Sequence, residues 1–205
     1  MGISERKEKQ KLEVKKLILD ASIKLFIEEG FQNVSIRKIA DLIEYSPTTV
    51  YLYFKDKNEI LFNLHELGFQ KMGEYNKGLW EIIDPLTRLY QMAKNYVHFG
   101  LENPEFYDLM FIQEAPMEVI EENKNCDWQS GDVALGKLME CVAECMDQNL
   151  IIKSDVSAVS MAFWAMVHGF VSLTIRRRFE QLVDAKEIKN KINESLTWFL
   201  KSLQA

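Results

Sequence analysis

The chain has 205 residues, a formal charge of −6, and only 4 Pro and 9 Gly. That length admits one large domain or two smaller ones. Leu, Ile, Lys and Glu run throughout, with no strand-like alternation, internal repeat or low-complexity block, which excludes a strand-rich chain and predicts an all-α fold. Net acidity argues against nucleic acid as a partner, but the charge is uneven: residues 1–57 carry 11 Lys and Arg against 9 Asp and Glu, and the remainder carries 14 against 22.

The first helix is predicted from about Lys9 to Glu29, with Val14, Leu17, Ile18, Ala21 and Leu25 as its apolar stripe and Gly30 as a natural C′ residue. Arg6, Lys7, Lys9, Lys11, Lys15 and Lys16 lead it. They read either as a basic arm for phosphate or minor-groove contact or as a frayed, solvated tail. Ile36, Ile39, Ala40 and Ile43 then fall at i, i+3, i+4 and i+7, one face of a short second helix. Ser35 is placed to cap it, and amides at that end also suit a phosphate.

Only Glu44-Tyr45 separates this helix from a third, predicted over Pro47 to Phe54 with Ser46 as N-cap and Pro47 in the first turn. So short a connection makes the two helices cross steeply. Ala40 is small enough for close approach, and Val50 can close the core between them. The third helix then exposes Thr48, Thr49 and Tyr51, with Tyr53 and Lys57 at its far end. Threonine hydroxyls and methyls match base edges, and Tyr and Lys reach phosphates. The pattern is a DNA-reading helix-turn-helix.

A fourth helix is predicted from Lys57, capped by Asp56, through Ile60, Leu61, Leu64, Leu67 and Phe69, ending between Gly73 and Asp84. Pro85 opens a helix to about Glu102. Asn103-Pro104 breaks it, and a short helix follows to about Gln113. Residues 114–131, with Pro116 and Asn123-Lys124-Asn125, read as the most irregular connection. Helices from about Asp132 to Gln148, Asp155 to Glu180 and Ala185 to Leu203 complete the chain.

The order Ser35, Arg37, Ile39, Ala40, then Tyr45, Ser46, Thr48, Thr49, Val50, Tyr51, Tyr53, Phe54, Lys57, Ile60 and Leu61 is similar to the signature of the TetR family of bacterial transcriptional regulators. Ala21, Leu25, Phe26, Gly30 and Phe31 resemble that family's first helix and its terminating glycine. The resemblance covers about fifty residues. It implies an amino-terminal three-helix head, here 1–57, and a larger carboxy-terminal helical domain, here 58–205, for ligand binding and dimerisation. One residue departs: the family commonly has Gly in the turn, where this chain has Glu44. If that position takes a positive φ, Glu costs about 1 kcal/mol relative to Gly.

The carboxy-terminal part offers no catalytic constellation. It has no phosphate-cradling glycine loop, and His65-Glu66 lacks a second His at metalloprotease spacing, since position 69 is Phe. His98 and His168 have no local metal partner, so neither a metal, a cofactor nor an enzyme is expected. Cys126, Cys141 and Cys145 are an odd count without a signal peptide, which points to a reducing cytoplasm. Cys141 and Cys145 share a helix face and are expected to pack. Val156 to Ile175 runs twenty residues without a formal charge and is closed by Arg176-Arg177-Arg178. That length could span a bilayer. Ser157, Ser160, His168, Gly169, Ser172 and Thr174 dilute the run, however, and the expectation is a buried interface helix and no membrane.

Aromatic and sulfur side chains are more numerous here than one helix can cover. Most serve as core. Trp80, Tyr96, Phe99, Phe106, Met110, Phe111, Phe163, Trp164 and His168 are the candidates to line an apolar ligand site, and Trp128 is a further aromatic of this part of the chain. The Val156–Ile175 run and the stripe Ile188, Ile192, Leu196, Phe199 and Leu200 suit a four-helix interface between two copies of the chain, and the resemblance implies the same homodimer through residues 155–203.

The expectation is a cytoplasmic, ligand-responsive repressor, a homodimer on a near-palindromic double-stranded DNA operator. Thr48, Thr49 and Tyr51 face the groove, and Ser35, Arg37, Lys38, Ser46, Tyr53 and Lys57 hold phosphates. A small hydrophobic effector releases the DNA. The alternative is a TetR-like regulator that acts through a protein partner rather than a small ligand.

Overall fold

Side-chain caps set where the helices begin. Amides of a helix's first turn have no partner inside it, and an oxygen on the preceding residue supplies one. Ser35 Oγ accepts the Lys38 amide at 3.2 Å and Ser46 Oγ that of Thr49 at 3.1 Å. Asp56 takes that of Glu59 at 2.9 Å, Asp84 that of Thr87 at 2.8 Å and Asp155 that of Ala158 at 2.7 Å. The computed structural model describes residues 2–113 and 129–204. The expected irregular connection lies almost wholly outside the described residues, as do Cys126 and Trp128.

Among the described residues the elements are α1 (Ile3–Glu29), α2 (Ile36–Leu42), α3 (Pro47–Tyr51), α4 (Lys57–Tyr75), α5 (Pro85–Glu102), α6 (Pro104–Phe111), α7 (Gln129–Asp147), α8 (Val156–Ile175) and α9 (Ile188–Leu203), with short 3₁₀ turns between some of them. The fold is all-α, as expected. Several boundaries differ from the sequence reading, among them the end of α8, which stops at Ile175 and not Glu180 because Arg176 and Arg177 leave the helix. The third helix stops at Tyr51, not Phe54, because Leu52 and Tyr53 enter a turn. The first helix begins at Ile3, so the basic leader is helical and neither an extended arm nor a frayed tail.

Three helices end in the same way. Tyr45 N–H bonds Ala40 O at 3.0 Å and Glu44 N–H bonds Asp41 O at 3.3 Å, closing α2 in a Schellman motif with Glu44 at φ 58°. Asn149 (φ 53°) closes α7 and Arg177 (φ 57°) closes α8 with the same pair of bonds. None of the three is the glycine this position favours.

The chain divides into two compact units, Met1–Gly68 with Glu105–Asp127, and Phe69–Pro104 with Trp128–Ala205. In the first, Ile18, Phe26, Ile39, Ala40, Val50, Phe54, Ile60 and Leu61 are fully or almost fully buried in one core, and Leu109 of α6 joins them. Gly68 suits that arrangement: a Cβ there would lie 2.3 Å from Met110 Sδ, so a larger residue would require the Met110 side chain to move. Lys57 braces the unit. Its ammonium donates to Phe31 O at 3.0 Å and Val34 O at 3.4 Å and sits 4.4 Å from the Phe31 ring centroid.

In the second unit α5, α7 and α8 pack on one another, and α9 packs on α5. Ile188, Ile192, Leu196 and Leu200 form the buried stripe of α9. Arg88 is buried and fully engaged. It donates to Ile82 O at 2.9 and 3.0 Å and to Glu144 Oε2 at 2.8 Å, with its guanidinium 4.8 Å from the Trp80 ring centroid. Cys141 and Cys145 are buried in α7, as expected for packing, and Cys141 Sγ donates to Pro85 O at 3.4 Å. The α8 helix is long and apolar enough to cross a membrane. It buries only one face, through Ser160, Phe163, Val167 and Val171, and leaves Met161, Ala162, Ala165 and Leu173 exposed.

His65 in α4 is 1% exposed, and burial lowers its pKa from 6.5 to about 4. The unfolded chain therefore takes up this proton before the folded one. The associated stability is complete above about pH 6.5 and is lost as the pH falls toward 4, by about 3 kcal/mol in all. Urea unfolding at pH 7.5 and 4.5 checks this: His65→Phe is expected to flatten the slope, and an unchanged slope would assign the loss to other groups.

Candidate nucleic-acid interface

The helix-turn-helix is built by three constraints in series. Ala40 and Val50 are fully buried, which brings α2 and α3 into contact. The Schellman closure at Glu44 sends the chain sharply away from α2. Ser46 then starts α3, with Pro47 where a missing N–H costs nothing. With Val50 turned inward, the opposite face of α3 is left to solvent.

That face holds most of the residues expected from sequence. Thr48 is exposed and Tyr51 is 57% exposed. Thr49 is half-buried, and its Oγ1 lies 2.9 Å from Ser46 Oγ, so it is partly spent on the helix cap. Leu52, which sequence reasoning passed over, is 76% exposed beside Tyr51. A signal was available: Leu52 lies four residues after Thr48, so a helix continued to Phe54 puts it on the same outward face.

The residues expected at phosphates divide into three sets. Arg37 is exposed. Ser35 and Ser46 have their oxygens on helix amides, and Lys38 pairs with Glu29 at the end of α1. Tyr53 is half-buried against the head core, and Lys57 commits two of its donors to backbone carbonyls. All nine residues thus belong to the first unit, and several of them have a bracing role.

The nine residues expected around a ligand are not gathered in one unit. Phe106, Met110 and Phe111 belong to the first, where Phe106 packs on the head core and the Phe111 ring lies 5.6 Å from that of Tyr107. Trp80 lies against Arg88. Phe99 packs edge-on to Tyr75 at 5.7 Å, and Phe163 lies 6.0 Å from Phe199. Tyr96, which is buried, and the half-buried Trp164 and His168 form a polar chain in the second unit. Trp164 Nε1 donates to Tyr96 Oη at 3.3 Å, and Tyr96 Oη lies 3.1 Å from His168 Nδ1. Burial, then Arg176, lowers the His168 pKa, which favours a neutral ring able to accept the Tyr96 proton. Among the described residues no cluster of three or more His, Cys, Asp or Glu could hold a metal ion.

The chain matches two family models, "Bacterial regulatory proteins, tetR family" over residues 18–64 and "Tetracyclin repressor-like, C-terminal domain" over residues 89–194. The second alone spans just over half the chain. An uncharacterized HTH-type transcriptional regulator of Haemophilus influenzae is 30% identical over 122 residues, 58% of this chain and 65% of that protein, just under two thirds of its length. The uncharacterized HTH-type transcriptional regulator YobS of Bacillus subtilis is 21% identical over 202 residues, 92% of this chain and 91% of that one. The TetR family transcriptional regulator PfmR of Thermus thermophilus shares the fold with a TM-score of 0.69 at 18% identity, over 92% of this chain and 96% of that one.

The positive φ at Glu44 also makes a stability test. Glu44→Gly is expected to raise stability by up to about 1 kcal/mol, since glycine takes this conformation without a Cβ clash. A urea midpoint that stays put or falls would show the turn to be unstrained.

Proposed function

The chain belongs to the TetR family of bacterial regulatory proteins, DNA-binding transcriptional regulators rather than enzymes, and on that premise we propose that it is a ligand-responsive homodimeric repressor of a near-palindromic operator. The observation that carries the DNA-reading half is the outward face of α3, where Thr48 and Tyr51 stand free while Val50 is locked in the core. Thr48 and Tyr51 meet base edges, and Arg37 leads the phosphate contacts. Two such heads related by a two-fold axis read major grooves about 34 Å apart.

The exposed face of α8 supports the dimer. Met161 is 64% exposed, Ala162, Ala165 and Leu173 are also open, and Trp198 on α9 is 71% exposed. A second copy of α8 and α9 would cover these apolar groups. The release half rests on Tyr96, Trp164 and His168, which place a few polar groups among apolar ones, the composition of a small-ligand site. An apolar effector held there acts on α4, which runs from the first unit into the second. Coupling of about 1–3 kcal/mol, or 5–150-fold in operator affinity, suffices for induction.

Thr48→Ala with Tyr51→Ala is expected to weaken binding to a duplex selected by the wild-type protein from a random pool by about 2 kcal/mol or more, roughly 30-fold. The variant should keep its circular dichroism, and retained affinity in a shift assay would refute the groove assignment. Trp198→Glu is expected to loosen the dimer by a similar amount. Analytical ultracentrifugation reads this directly, and an unchanged dimer constant would move the interface elsewhere.

A further inference from the structure

The basic leader is a helix that buries nothing. From Ser4 to Glu13 every described side chain is exposed, and the core of the first unit begins only at Val14. Glu5 closes the start by accepting the Gly2 amide at 2.7 Å, and Lys9 pairs with Glu13 at 3.9 Å. Extending an existing helix avoids the cost of nucleating a new one, so these turns form without tertiary contacts. The head's own packing gives no reason for their composition.

Their charges are sorted by face. Lys7, Lys11 and Lys15 recur at i, i+4 and i+8, and so share one side of α1. At about 100° per residue this is the side of Val14 and Ile18, which one turn later packs on the head. The structure fixes the end of the row: Lys15 Nζ lies 5.4 Å from the ring centroid of Phe54, three residues beyond Tyr51. Lys11 and Lys7 continue from there at about 6 and 12 Å along the helix. Neither enters an ion pair among the described residues. The opposite side is nearly balanced, with Glu5, Glu13 and Asp20 among Lys9 and Lys16. Glu8 alone borders the lysine row.

We infer that the Lys7–Lys11–Lys15 face of α1 is a second DNA contact, a helical rail that neutralises backbone phosphates flanking the groove read by α3. Its partner is chosen by charge complementarity and by continuity with the recognition element through Phe54. The contact is to phosphate, so it adds affinity for any duplex and carries no base preference. The inference rests on the DNA-reading assignment above, and the two can fail separately.

The test uses the full-length protein, two duplexes of about 30 base pairs (one selected by the wild type from a random pool, one scrambled) and anisotropy titrations at several salt concentrations. Lys7→Gln with Lys11→Gln is expected to flatten the slope of log affinity against log salt by about 0.9 for each lysine removed from each bound protomer. It should weaken both duplexes by the same factor, with unchanged circular dichroism. Lys9→Gln with Lys16→Gln removes the same charge from the opposite side and is expected to leave the slope nearly unchanged. An unaltered slope in the first variant, or an equal loss in both, overturns the rail. Wild-type protein that binds neither duplex overturns the DNA-reading assignment and the rail with it.

Discussion

Two hydrogen bonds at the end of α2 form together only because Glu44 takes a left-handed backbone. That closure turns the chain within two residues, so that Ser46 can start α3 against α2. The exposed face of α3 follows from it. With Ala40 and Val50 buried at the crossing, Thr48, Tyr51 and Leu52 have nowhere to go but outward. The position favours glycine, and the chain holds glutamate there at a cost of about 1 kcal/mol. Arg177 and Asn149 close two further helices in the same way, so this chain meets a recurring geometric demand with side chains of its own.

The head is then held by cations used as structural members. Lys57 ties the start of α4 to the carbonyls that follow α1, and Lys38 ties α2 to Glu29. Both would serve as phosphate contacts on charge alone. Their geometry makes them first a frame that keeps α3 in place, which matters because reading base edges demands a fixed helix. A similar economy appears in the second unit, where buried Arg88 holds the Ile82 carbonyl, a carboxylate and the Trp80 ring. Arg37, Lys7 and Lys11 of the head enter no ion pair among the described residues.

Much of this was legible in the chain. Apolar spacing in α1, α2 and α9, the serine and aspartate caps, and Pro47 and Pro85 in first turns are local signals, and each element they mark is present. Two of the misplaced ends have a local cause as well. A turn at Leu52 competes with helical periodicity in a stretch where every residue tolerates either. The leader's lysines suggested a tail because charge runs do so on average, whereas Gly2, Glu5 and the Lys9–Glu13 pair support helix.

By itself the sequence determined the helices, their caps, the tight turn and the family resemblance, because those depend on neighbours within about four residues. Tertiary structure alone decided which exposed-looking residues are free. Lys57 and Lys38 are engaged by groups 23 to 26 and 9 residues away, distances no periodicity reports. It also decided that Tyr96 meets a histidine 72 residues along the chain, that Leu109 belongs to the head core, and that α8 shows solvent an apolar face its own unit does not cover. A side chain's task is set by what lies across the fold from it, and that is information the chain acquires only on folding.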